Sequence, residues 1–119
     1  NSVIVNAEFL AKNKPVIDKF VKVTQRAFAA CVKDPKPCVQ ALIDANGALS
    51  LENETVNWQL VEVLMSDKTS REVALGIHDD ARMKADYELV RDYAGIDKPF
   101  DVTTTYTNEF LDRSVKMTK

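Results

Sequence analysis

The side chains best suited to acid–base or metal chemistry lie together in the third quarter of the chain. The single histidine, His78, directly precedes Asp79 and Asp80, and Asp86 follows further along. A histidine can serve as a general base or contact a ligand, and clustered carboxylates can hold a cation. Neither a second histidine nor a DxDxDG calcium loop accompanies them. We therefore expect His78 to be a hydrogen-bonded loop residue and the aspartates to cap a helix and complement its dipole. No catalytic residue and no metal ligand is predicted.

Other kinds of chemistry lack their motifs. The two cysteines, Cys31 and Cys38, are too few for a structural zinc site without more histidines. No serine lies in a G-x-S-x-G turn, and Gly47, Gly76 and Gly95 are too far apart to form a phosphate-binding loop. The sequence thus predicts a protein that binds or supports rather than an enzyme, with no cofactor.

Length and charge narrow the classes of partner. The chain has 119 residues, is 45% hydrophobic and carries a formal net charge of -2. This composition is typical of one globular unit, here residues 1–119, and gives no electrostatic reason to expect nucleic acid. No apolar run approaches the roughly 20 residues that span a bilayer.

Capping signals predict a mainly helical chain. Asn6 is a plausible N-cap, Pro15 suits the first turn of a long helix to about Lys33, and Asp34 caps the next helix. Residues 67–76 are predicted to be irregular or to form one helical turn. The predicted helices cover 7–11, 15–33, 35–46, 52–65, 79–93 and 108–115.

Apolar residues recur at helical spacing, and we expect most of them to be buried. One face of the long helix contains Val16, Phe20, Val23, Ala27 and Cys31, and it is widened by Ile17, Val21, Phe28 and Val32. The helix over 52–65 carries a stripe of Val56, Leu60, Val63 and Leu64, with Trp58 on its flank. The aromatic residues Phe20, Phe28, Trp58 and Tyr87 are predicted to be core residues rather than the lining of a ligand pocket.

One β-strand is predicted near the start of the chain. Val3, Ile4 and Val5 form a β-branched run that suits a buried strand. Only residues 101–106 could pair with it, and we expect that threonine-rich segment to be a loop. Because a single strand cannot satisfy its own backbone hydrogen bonds, its partner should come from absent residues or from another chain. No initiator methionine and no signal peptide precedes it, so the chain is interpreted as cut out of something longer.

Several segments, in order, resemble the periplasmic substrate-binding proteins of the NMT1/THI5 and SsuA/TauA type. Residues 2–15, SVIVNAEFLAKNKP, are similar to a family stretch in which a strand enters a short helix and a proline begins a long one. The resemblance continues through VIDKFVKVTQRA (16–27), Asp34-Pro35, TSREVALGIHD (69–79) and YTNEFL (106–111). It covers nearly the whole chain, and in that family these segments come from the C-terminal third.

The resemblance implies part of one lobe of a type II periplasmic-binding-protein-like α/β fold. It also implies capture of a small solute between two lobes and delivery to an ABC permease, in the periplasm or tethered to a membrane. Solutes of the family include sulfonates, taurine, nitrate and thiamin-pyrimidine precursors. No ligand-binding residue can be carried over to a numbered position. The alternatives are a fragment of a THI5-like pyrimidine-synthesis enzyme and a stand-alone helical interaction module.

Two expectations follow for this chain by itself. It should bind no solute, because the family's cleft needs the missing N-terminal part of the same protein. It should self-associate, by strand addition at Val3–Val5 or through exposed apolar surface.

Cys31 and Cys38 could form a disulfide across the corner between two predicted helices. Such a corner can bring two Cα atoms within the 4.4–6.8 Å that a disulfide needs, and the oxidising compartment that the resemblance implies would favour the bond. Two buried free thiols are the alternative.

Overall fold

Six α-helices follow one another over residues 2–118, the part of the chain that this computed structural model describes. A π-helical turn over Arg91–Gly95 extends the last helix, and a 3-10 turn covers Val102–Thr104. The helices are α1 (Ala7–Lys12), α2 (Lys14–Lys33), α3 (Pro35–Ala45), α4 (Leu51–Met65), α5 (Lys68–Glu72) and α6 (Asp80–Val90). The predicted mainly α class is confirmed.

Polar side chains begin most of these helices, because each accepts hydrogen bonds from backbone N–H groups that have no partner inside the helix. The Oδ1 atom of Asn6 accepts from the backbone N–H groups of the second and third residues of α1. Asp34 caps α3, Ser50 caps α4, and Asp79 caps α6. The predicted helix starts at Asn6, Asp34 and Asp79 are therefore confirmed, and Asp67 with Ser70 adds a capping box on α5.

The core lies where the C-terminal segment crosses α2. Val32, Leu75 and Met117 are its buried members. Ala29, Trp58, Met65 and Val115 pack around them. The backbone N–H of Leu75 donates to Val115 O at 2.9 Å, and that of Met117 donates to Ser70 O at 2.9 Å. These two hydrogen bonds fix the end of the chain against the turn that follows α5.

The predicted N-terminal strand is absent from the described residues. Val3, Ile4 and Val5 belong to no helix or strand, and Ile4 is 93% exposed. Residues 101–106 cannot pair with them because threonine side chains close that segment into local turns: Thr104 Oγ1 donates to Asp101 O, and Thr105 Oγ1 to Val102 O, each at 2.7 Å. Residue 1, which precedes this run, lies outside the described residues.

The predicted helix over 108–115 is wrong. Asp112 and Ser114 bond to each other in a local turn, and other polar groups of the segment bond to distant parts of the chain. The side chain of Asn108 bonds to the backbone of His78, and the backbone N–H and C=O of Asp112 both bond to the side chain of Gln25. Residues 108–117 therefore form turns that lie across α2.

The predicted burial of α2 and α4 is also partly wrong. On α2, Ile17 and Val32 are buried, but Val16, Phe20 and Val23 are more than half exposed. On α4, the side chain that reaches the core is Trp58, which lies on the predicted flank and stacks on Phe28 at 6.1 Å between ring centroids. Much of each predicted apolar stripe is therefore exposed.

The chain is more open than a compact domain of its size. Its radius of gyration is 16.5 Å, against about 13.5 Å expected for a compact domain of this length. It exposes 8773 Å² of surface, against about 6,500 Å² expected for a compact monomer of this mass. The excess, roughly 2,300 Å² by that scaling, is surface that a compact chain would bury.

Candidate functional site

The His78 region is held together by one amide side chain. Asn108 Oδ1 accepts from the backbone N–H of His78 at 2.9 Å, and Asn108 Nδ2 donates to His78 O at 2.8 Å. The imidazole ring lies 5.4 Å from the Tyr106 ring, centroid to centroid. Tyr106 Oη donates to Asp80 Oδ1 at 2.8 Å, and this hydrogen bond raises the pKa of the phenol. His78 lies in the loop before α6, where it was predicted.

The predicted capping role of the aspartates is confirmed for Asp79, whose Oδ1 accepts from the backbone N–H of Arg82 at 2.9 Å. Asp80 is in the first turn of α6, where a carboxylate complements the helix dipole. Over residues 2–118, no three histidine, cysteine, aspartate or glutamate side chains are grouped so that they could hold a metal ion.

Two open depressions flank α6. One, of about 290 Å³, lies beside His78 and includes Thr69, Asn108 and Arg113 in its lining. The other, of about 550 Å³, lies between α6 and residues 100–103. There the Tyr87 ring packs edge-on against the Phe100 ring, with 5.0 Å between their centroids. Lys84 and Glu88, which also line this cleft, carry opposite charges. Both depressions are open to solvent, whereas a typical ligand site buries most of its ligand.

Gln25 joins three segments and was missed by the sequence analysis. It is 5% exposed. Its Nε2 donates to Leu75 O at 2.9 Å and to Asp112 O at 3.0 Å, and its Oε1 accepts from the N–H of Asp112 at 2.9 Å. The spacing in the sequence could have indicated this role. Gln25 lies eight residues after Ile17 and seven before Val32, so it shares the buried face of α2 with them.

Cys31 and Cys38 form a disulfide at the corner between α2 and α3. Their Cα atoms are 5.8 Å apart, within the usual range for this bond. The two helices are therefore tied covalently where Asp34 ends one and caps the other.

The surfaces that stand out most are two exposed apolar stripes on neighbouring parts of the sequence. We call Val16, Phe20, Val23 and Ala27 the α2 stripe, and Val56, Leu60, Val63 and Leu64 the α4 stripe. Leu64 is 80% exposed and Val63 is 73% exposed. Contiguous apolar surface of this kind marks a contact surface more often than a solvated one.

No protein-family model, curated protein or solved structure matches this chain. The resemblance to periplasmic substrate-binding proteins therefore stays a prediction. Separately, no helix among the described residues is both long enough and apolar enough to cross a membrane.

Replacing Asn108 with alanine should lower the free energy of unfolding by about 1–2 kcal/mol, because both backbone groups of His78 lose their partners. Urea denaturation at one fixed protein concentration measures the change. Asn57→Ala is the matched control, since the Asn57 side chain is exposed and bonds to Glu54 on its own helix. This substitution should change stability by less than about 0.5 kcal/mol. Equal effects of the two substitutions would show that the Asn108 contact has no structural role.

Proposed function

We propose that this chain is the C-terminal segment of an ABC-importer solute-binding protein and supplies a helical part of one lobe. The complete protein captures a small organic or anionic solute (a sulfonate, taurine, nitrate or a thiamin-pyrimidine-like compound) between two lobes. It delivers that solute to a permease, in the periplasm or from a membrane tether. The segment contributes packing surface and binds no solute by itself.

The observation that carries this proposal is the amount of apolar surface the chain leaves uncovered. The α2 stripe, the α4 stripe and the Val3–Val5 run are all mostly exposed, although their spacing is that of buried elements. A segment that completes a lobe would bring such surfaces to a sheet made by the rest of the protein. In that setting Val3–Val5 would add a strand to the edge of the sheet, which supplies the hydrogen-bond partners it lacks here.

The two depressions beside α6 support the proposal that this chain binds no solute by itself. A solute site buries most of its ligand and directs several polar groups to it. Here Asn108, one of the polar side chains that line the depression beside His78, is bonded to the backbone. The cleft would therefore need a second wall from residues outside this chain.

Isothermal titration calorimetry of the complete protein and of the 119-residue chain tests the proposal with taurine, an alkanesulfonate, nitrate and a pyrimidine. The complete protein should bind at least one of them at micromolar affinity or better, and the chain alone should give no heat of binding. Micromolar binding by the monomeric chain would contradict the proposal. So would a complete protein that binds none of the four, a result that would favour a helical interaction module.

A further inference from the structure

We infer that, in the isolated chain, the exposed stripes are covered by a second copy, with α2 of each copy packed against α4 of the other. The second copy would cover the surfaces that the rest of the lobe covers in the complete protein, so this inference rests on the proposed function. The spacing of the stripes, the charges beside them and the exposed area support this pairing.

The spacing of the α2 stripe is that of a helix–helix seam. Val16, Phe20, Val23 and Ala27 are separated by four, three and four residues. On α4, Val56, Leu60 and Val63 are separated by four and three. This alternation places apolar side chains along one line of a helix, so that they can interdigitate with those of a facing helix. Each stripe is therefore shaped for another helix rather than for a flat surface.

The charges on the two helices are opposite. Helix α2 carries five basic residues and one acidic residue, whereas α4 carries three glutamates and no basic residue. Lys19, Arg26 and Lys33 recur every seven residues along one edge of the α2 stripe. All three are exposed, and none forms an ion pair with another residue of 2–118. A helix laid on the α2 stripe would meet this basic edge, and on α4 the exposed Glu52, four residues before Val56, lies beside the α4 stripe.

Pairing of like helices is less favourable. Two α2 helices would bring their basic edges together when antiparallel, and two α4 helices would bring only carboxylates. Packing α2 against α4 of the other copy avoids both repulsions. With a two-fold axis the α2–α4 contact forms twice, because α2 of each copy then packs against α4 of the other.

The surface available is sufficient for a stable dimer. A specific interface needs about 800 Å² from each partner, and the excess exposed surface of this chain is roughly 2,300 Å² relative to a compact monomer of its mass. Even if a third of that excess were covered, the interface would reach the standard size.

Sedimentation velocity of the 119-residue chain tests the inference, with charge reversals as probes. The chain should be a dimer at about 50 µM, within the affinity range of interfaces of this size. The pair Lys19→Glu and Arg26→Glu should raise the dissociation constant at least about tenfold, and Glu52→Lys should raise it about threefold or more. All three together should restore much of the affinity, because the opposite charges are exchanged.

Lys98→Glu and Lys116→Glu are the matched control, since they change the net charge equally at exposed positions away from both stripes. They should leave the dissociation constant nearly unchanged, and circular dichroism should show that every variant keeps its helices. A monomer at about 100 µM would overturn the inference. A dimer indifferent to the reversals, or one that the combined charge exchange fails to restore, would overturn the pairing of α2 with α4. Solute binding by the complete protein is a separate readout, so the proposed function can fail or hold independently.

Discussion

Replacing Gln25 with leucine is expected to lower the free energy of unfolding by about 3 kcal/mol, because three backbone groups lose a partner that water cannot fully replace. Those groups are the carbonyls of Leu75 and Asp112 and the N–H of Asp112. Leucine fills a similar volume, so the loss reports the hydrogen bonds rather than a cavity. Urea denaturation followed by circular dichroism, at one protein concentration, measures the change.

Gln40→Leu provides the matched control. The Gln40 side chain is exposed on α3 and donates to Asp44, one turn further along the same helix, at 2.8 Å. This substitution should change the free energy of unfolding by less than about 0.5 kcal/mol. In the Gln25 variant, amide exchange at Asp112 should also become faster, since its N–H loses its acceptor. A Gln25 variant as stable as the control variant would show that this side chain does not hold the C-terminal segment.

Removing the disulfide by Cys31→Ser and Cys38→Ser together is expected to lower the free energy of unfolding by about 2.5 kcal/mol. The bond closes a short loop, with a sequence separation of seven, and a loop of this length restricts the unfolded chain by about that much in the chain-entropy model. Both cysteines are only half buried, so serine adds little burial cost of its own. Denaturation of the oxidised protein and of the double variant measures the difference.

A reducing agent supplies the control for the disulfide. Dithiothreitol should destabilise the unmodified chain by a similar amount and should leave the double variant unchanged. Mass spectrometry after alkylation without reductant counts the thiols directly. Two alkylatable thiols in freshly purified, unfolded protein would mean that the bond between Cys31 and Cys38 does not form.

Local chemistry explains why the helix starts could be predicted. Asn6, Asp34 and Asp79 cap helices through contacts two or three residues away, so the information lies within the segment itself. The corner between α2 and α3 follows from the same signals, since Asp34 and Pro35 end one helix and begin the next. Because the predicted corner brings Cys31 near Cys38, a disulfide between them could be considered from the sequence alone.

The errors arise where distant groups decide the structure. The segment over 108–115 has helical spacing, but Gln25 and His78, far away along the chain, take its backbone and side-chain hydrogen bonds. Periodicity also identifies an apolar face without saying what covers it. On α2 the face containing Ile17 and Val32 meets the core, whereas the face containing Phe20 does not. The sequence predicts one broad apolar face on this helix but not which part of that face the chain itself buries.

The exposed stripes link the structure to the proposed function. An isolated chain with this much uncovered apolar surface should join to itself, and a lobe segment should have the same surface covered by the rest of its protein. Both expectations concern the same side chains, Phe20 on α2 and Leu60 and Leu64 on α4. The two settings differ in what covers them, and therefore in whether a solute cleft is completed.

Hydroxyl-radical footprinting of the complete protein tests this account most directly. The oxidation rates of Phe20, Leu60 and Leu64 are compared with those in the 119-residue chain, diluted until it is monomeric. The account predicts that all three side chains react several-fold more slowly in the complete protein, while Tyr93, which is 86% exposed in the chain and lies outside both stripes, serves as an internal reference. Equal oxidation rates for the stripes in the two proteins would contradict the claim that the rest of a lobe covers them.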